Sequence, residues 1–211
     1  ESGDEKKLNA LKGETMAVIA LCQFDLTRCF GYPYTKDKGA SLGAPLIDHL
    51  VGTYENPPRS TVAQAYDFII ETLEEAVTLM SEEKNNGRMN KYAARALLAR
   101  VYLYHNDNRK AFDMAEQLIK DVDASGSYAL YPHEKYVAAW SVETKFGSES
   151  FFEIANSVDD TPGRDSWGYL LNWYGYQKGF VTQKYAEQML ADPGDVRGQL
   201  LEENKYAGKV H

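Results

Sequence analysis

The sequence predicts a mainly α chain in which antiparallel helix pairs stack as an α-α superhelix, decorated by loops and short strands. Three observations carry this reading. Apolar residues recur at three- and four-residue spacing in four segments before residue 125. The third and fourth of these segments are joined by a turn of only a few polar residues, which makes them antiparallel neighbours. Gly and Pro cluster between the periodic segments and hardly interrupt them.

The first helix is expected from Glu5 to Phe30, with Leu8, Leu11, Ile19, Cys22, Leu26, Cys29 and Phe30 as its core stripe. On that stripe Cys22 and Cys29 read as buried thiols. Two turns separate them by about 10 Å along the axis, too far for a disulfide. Gly31-Tyr32-Pro33 ends the helix, and no period holds from 32 to 60, a connection long enough to be functional. Thr61 and Gln64 form a capping-box pattern ahead of a second helix. Its stripe is Val62, Tyr66, Ile69, Leu73, Val77 and Met80, with Glu74-Glu75 and Glu82-Glu83 on a solvated face.

The third helix, Lys91 to Tyr104, carries only Arg95 and Arg100 as charges between its ends and is apolar almost all round, as suits a helix covered on several sides. The turn at His105-Asn106-Asp107-Asn108 offers cap side chains, and Ala111, Phe112, Ala115, Leu118, Ile119 and Val122 form the stripe of a fourth helix. Leu98, Ala99, Tyr102, Ala111 and Ala115 fall at tetratricopeptide spacing, so this pair reads as one repeat and the first two helices as another. An ordinary antiparallel bundle is the plainer alternative. The domain reading is therefore tetratricopeptide-like repeats over 1–124 with a long insertion at 32–60, then an irregular loop-rich segment of the same domain over 125–211. In that segment 128–131 and 149–154 read as extended runs, 133–140 as a short helix with Trp140 in the core, and 182–190 as a helix.

Composition narrows the function classes. With 23 Lys+Arg against 31 Asp+Glu the net charge is −8, which disfavours nucleic acid and anionic lipid surfaces as partners. A hydrophobic share of 44% opposes disorder, and no apolar run approaches the roughly 20 residues of a membrane-spanning helix. Fifteen Tyr and three Trp against eight Phe favour rings with a polar tip, which suit ligand-touching surfaces or the edge of a core. The opening residues carry no initiator Met or signal peptide, so the chain reads as an excised fragment.

Catalytic signatures are missing from the sequence. The four His show no metal-ligand spacing, and no nucleophile elbow, Walker or dinucleotide motif occurs, so neither enzyme activity nor a cofactor is expected. Asp159, Asp160 and Asp165 could offer oxygens to calcium but do not follow an EF-hand spacing, and a solvated acidic loop explains them as well. The candidate ligand site is the aromatic stretch Trp167, Tyr169, Trp173, Tyr174 and Tyr176, with Arg164, Asp165 and Asn172 as polar companions. Sugar rings pack their C–H faces on aromatic rings while their hydroxyls need fixed polar partners. The competing reading is that these rings pin a long loop onto the repeats.

Four separated segments resemble the SusD/RagB family of nutrient-binding proteins. Gly87-Arg88-Met89-Asn90-Lys91-Tyr92-Ala93-Ala94-Arg95-Ala96-Leu97-Leu98-Ala99 is similar to its most recurrent motif. Phe24-Asp25-Leu26-Thr27-Arg28 through Gly31-Tyr32-Pro33-Tyr34-Thr35 resembles its first-helix segment, Glu149 to Ile154 an extended stretch, and Asp195-Val196-Arg197 a D-x-R triplet. The resemblance implies a surface lipoprotein of the Bacteroidetes outer membrane that captures a glycan and covers a SusC-like TonB-dependent transporter. The lipid anchor would lie outside this chain, and neither Cys22 nor Cys29 would be its site. It also implies that the repeats act as scaffold while loops touch ligand. A peptide ligand, as in RagB-like uptake, and a generic repeat scaffold for protein partners remain the alternatives.

Overall fold

The computed structural model describes residues 3–140, 145–157, 159–171, 175–176, 179–201, 203–204 and 209–210. It is mainly helical and divides into two compact units: Glu1–Tyr128 with Ser150–Glu153, and Ala129–Glu149 with Ile154–His211.

The first unit holds α1 (Glu5–Phe30), α2 (Val62–Leu79), α3 (Lys91–Tyr104) and α4 (Asn108–Ser125). Each of these starts at a side-chain cap that satisfies backbone N–H groups the helix itself leaves open. Asp4 accepts from the N–H of Lys6, Thr61 and Gln64 form a reciprocal capping box, Asn90 accepts from Ala93, and Asp107 accepts from Lys110. The bounds expected for α1 and α3 are those observed, and the capping box expected at Thr61 and Gln64 opens α2. At the far end of α4, Gly126 takes a left-handed conformation (φ 62°) that glycine adopts without steric cost.

Helix α1 packs along α2, α2 on α3, and α3 on α4. Their shared core contains Phe24, Val62, Ile69, Leu73, Leu98 and Val101, each nearly or fully buried. Each such side chain contributes roughly 1.5–3 kcal/mol by leaving water. Arg95, whose side chain is only 11% exposed, clasps α3 to α4 through Asp121 at 2.7 Å. Two carboxylates of the solvated face also serve the packing: Glu74 accepts from the Tyr102 hydroxyl (2.6 Å) and Glu75 pairs with Lys12 (2.8 Å).

The face of α1 that is buried differs from the expected one. Leu8, Leu11, Ile19, Leu26 and Phe30 are exposed, as are Cys22 and Cys29, while Gly13, Ala17, Ala20, Gln23, Phe24 and Thr27 face the core. The small residues bring α1 so close to α2 that a Cβ on Gly13 would lie 2.6 Å from Met80 Cγ and 3.0 Å from the Ala76 carbonyl oxygen. On α4 likewise Ala111, Leu118 and Val122 are buried, whereas Phe112 (60%) and Ile119 (61%) point outward.

The insertion is more ordered than its lack of period suggests. A short 3-10 turn at Tyr34–Lys36 precedes β1 (Leu42–Pro45), which pairs antiparallel with β2 (Arg59–Thr61). Arg59 fixes the join, donating to the carbonyls of Gly43 (2.7 Å), Leu42 (2.9 Å) and Phe30 (3.3 Å), the last at the end of α1. Gly39 sits where a Cβ would meet the Ala63 backbone nitrogen at 2.7 Å, at the start of α2.

The second unit has shorter elements: α5 (Tyr136–Ala139), α6 (Trp167–Leu171), α7 (Gln183–Leu190), and an antiparallel pair of two-residue strands, β3 (Glu203–Asn204) and β4 (Lys209–Val210). The run expected to be extended at 128–131 forms no strand; its Ala129 N–H donates to the Ser148 carbonyl.

Gly13→Ala tests the close approach. Helix propensity alone favours Ala by about 1 kcal/mol, but the added methyl must displace backbone and the stem of Met80, an overpacking cost of about 1–3 kcal/mol. The expected outcome in urea unfolding is a net loss of stability; a gain would mean that α1 does not lie this close to α2.

Candidate functional site

The aromatic stretch of the second unit is built on a tight turn and a short helix. Gly163, in a left-handed conformation (φ 53°), opens a 3-10 turn over Gly163–Asp165 that carries Arg164 and Asp165, both exposed. Ser166 then links turn to helix: its hydroxyl donates to the Gly163 carbonyl (2.9 Å) and accepts from the Tyr169 N–H (3.1 Å). The segment expected to be loop thus holds α6.

Helix α6 begins with Trp167, whose side chain is 77% exposed. Trp is usually well buried, so this ring stands out as apolar surface open to contact. Two residues on, Tyr169 is half-buried and packs edge-to-face on Tyr176, with ring centroids 5.2 Å apart. The Tyr176 N–H donates to the Tyr169 carbonyl at 2.9 Å. Close return of the chain here requires Gly175, because a Cβ there would sit 1.7 Å from that same carbonyl oxygen. Tyr176 itself is 48% exposed. Of the residues expected to form the site, the structure therefore brings Tyr169 and Tyr176 together and places Trp167, Arg164 and Asp165 on the same short segment. Asn172, Trp173 and Tyr174 lie outside the described residues.

A ring that periodicity assigned to the core belongs to the surface. Trp140, at the end of α5, is 67% exposed and packs edge-to-face on Tyr136 at 6.1 Å. The short run 133–140 gave too few turns for its apolar residues to reveal which side was covered. Asp159 and Asp160 are exposed, and among the described residues no group of three His, Cys, Asp or Glu is arranged to hold a metal ion.

The Asp195-Val196-Arg197 triplet is a structural clamp. Asp195 accepts from the Arg197 backbone N–H (3.0 Å) and forms a two-pronged pair with its guanidinium (Nε 2.9 Å, Nη2 2.6 Å). These hydrogen bonds hold the Asp195 carboxyl down at about 2. Beside it the His133 ring nitrogen Nε2 lies 2.9 Å from the Gly194 carbonyl oxygen. Tyr131, His133, Tyr136 and this clamp line a cavity of about 240 Å³. In the first unit a cavity of about 630 Å³ lies between the start of α1 and the α2–α3 connection, and the Arg88–Glu14 ion pair at 2.5 Å forms part of its lining.

Comparison with known proteins agrees with this architecture. A family model described as starch-binding and associating with the outer membrane, SusD-like, matches residues 1–103. A SusD superfamily protein from Bacteroides vulgatus is 96% identical, with a TM-score of 0.92, over 100% of this chain and 47% of its own. The chain belongs to the SusD superfamily. A second SusD superfamily protein, from Bacteroides thetaiotaomicron, is 35% identical over 97% of this chain and 45% of its own, with a TM-score of 0.83. A laminarin-binding SusD-like protein shares the fold (TM-score 0.62) at 21% identity, over 99% of this chain and 50% of its own. The SusD-like chain thus spans about half the length of the solved relatives it matches. No curated protein matches it.

The clamp gives a pH-dependent prediction. Because the folded Asp195 carboxyl lies at about 2, below its ordinary 3.8, its stabilisation is full above about 4 and is lost as pH falls through about 2. Asp195→Asn should therefore lower the thermal midpoint at neutral pH, with the gap to the parent narrowing between pH 4 and 2; a pH-independent gap would contradict this role.

Proposed function

We propose that this SusD-superfamily chain is part of a surface protein that captures glycan and delivers it to a SusC-like TonB-dependent transporter of the outer membrane, without transforming it chemically. The observation that carries the reading is the exposed Trp167 indole beside the Tyr169–Tyr176 pair. A pyranose offers a flat C–H face to such rings, and Arg164 and Asp165 on the preceding turn supply a donor and an acceptor for hydroxyls. Trp173, Tyr174 and Asn172, within the same stretch of sequence, complete the proposed contact set.

The matched family description names starch, and the fold is shared with a laminarin-binding protein, so neutral glucans are the ligands to try first. The proposed protein is held at the outer membrane by a lipid anchor. No described helix is long and apolar enough to cross a membrane.

The test uses the full-length protein and calorimetric titration with starch-type and laminarin-type oligosaccharides. Trp167→Ala should weaken binding about tenfold or more, equivalent to about 1.4 kcal/mol, and Tyr176→Ala should weaken it less because that ring is half-covered. Unchanged affinity in both variants rejects the site, and selective binding of peptides in place of glycans rejects the ligand class.

A further inference from the structure

A second concentration of rings lies in the first unit, where α1 and α3 end. Thr27, Arg28, Tyr32, Tyr34, Tyr66 and Tyr104 line a cavity of about 260 Å³. Pockets for drug-sized molecules run from roughly 300 to 1,000 Å³, so this one suits a single small ring. We propose that it is a saccharide subsite, separate from the Trp167 segment, that holds one neutral sugar ring of a bound glycan. The ligand class rests on the glycan-binding reading above; the cavity itself does not.

The walls are preorganised by ring-on-ring packing. Tyr34 meets Tyr66 edge-to-face at 5.7 Å, and Phe24 meets Tyr104 at 5.4 Å. The Arg28 guanidinium lies over both Phe24 (5.2 Å) and Tyr104 (5.1 Å), which holds a flexible side chain in one place. Tyr32 and Tyr104 remain 57% and 45% exposed, so ring surface is available at the mouth.

The polar groups point to an uncharged, hydroxyl-bearing ligand. Tyr66 is 3% exposed as a whole and lines the cavity. The Tyr66 hydroxyl, on a residue that lines the cavity, can meet a ligand hydroxyl there. Burial pushes the Tyr66 phenol up to about 12, with Arg28 and Tyr104 close enough to act on it, so it stays neutral and can both donate and accept. Arg28 spends one nitrogen on Asp25 (3.1 Å) and keeps further N–H donors on a side chain that is 37% exposed. An anion is disfavoured: Arg28 already has a carboxylate, and the cavity sits at the C-terminal, partially negative ends of two helices. A cation would meet the guanidinium.

Tyr66→Phe removes the hydroxyl and leaves the ring packing. In the full-length protein, titrated with starch-type and laminarin-type oligosaccharides, this variant should bind three- to tenfold more weakly while its thermal midpoint stays level. Tyr104→Ala should weaken binding as well. Three results overturn the proposal. Unchanged affinity in both variants, with Trp167→Ala still impaired, removes the subsite and leaves the glycan-binding function standing. A lowered thermal midpoint in Tyr66→Phe means that the hydroxyl is held by protein. Failure of the unaltered protein to bind any oligosaccharide removes both readings.

Discussion

The close approach of α1 to α2 governs the rest of the helical unit. Gly13, Ala17 and Ala20 form a strip without bulk, and Ile69, Leu73, Ala76 and Met80 occupy the space it leaves. This contact sets the rotation of α1 about its own axis. With it set, Phe24 and Thr27 turn inward, and Arg28 comes to the rim beside Tyr104. The same rotation sends Leu8, Leu11, Ile19, Cys22, Leu26 and Cys29 outward. One helix thus presents a small-residue face and a large-residue face, the pattern of an element suited to neighbours on both sides.

That duality explains where sequence reasoning succeeded and where it failed. Helix starts were legible where caps are local chemistry: Thr61 with Gln64, and Asp107, satisfy open N–H groups within three residues. The rotation of α1 was not legible, because hydrophobicity ranks Leu and Ile above Gly and Ala, while tight packing between helices can select the smaller set. Phe112 and Ile119 on α4 misled in the same way. The β1–β2 hairpin was hidden since Leu42-Gly43-Ala44-Pro45 shows no alternation and is secured by the distant Arg59. At the candidate site the composition of the stretch was readable, but the Tyr169–Tyr176 contact depends on the chain doubling back at Gly175, a tertiary feature. The Tyr66 cavity was not legible because its residues come from three helices and a turn that only the tertiary fold brings together.

Charge placement accords with a binding role. Arg95 with Asp121, Arg88 with Glu14 and Arg197 with Asp195 are partnered within the fold, so these charges hold elements together. Exposed surface of chemical interest is instead aromatic: Trp167, Trp140, Tyr176 and Tyr32 each keep close to half or more of their area open. Such rings favour ligands with C–H faces and hydroxyl edges, which agrees with the starch-binding description of the superfamily model that matches residues 1–103.

The most direct measurement is a crystal structure of the full-length protein with the oligosaccharide it binds best. The account predicts a sugar ring stacked on the Trp167 indole. Oligosaccharide bound wholly elsewhere, with Trp167 covered by protein, would contradict it.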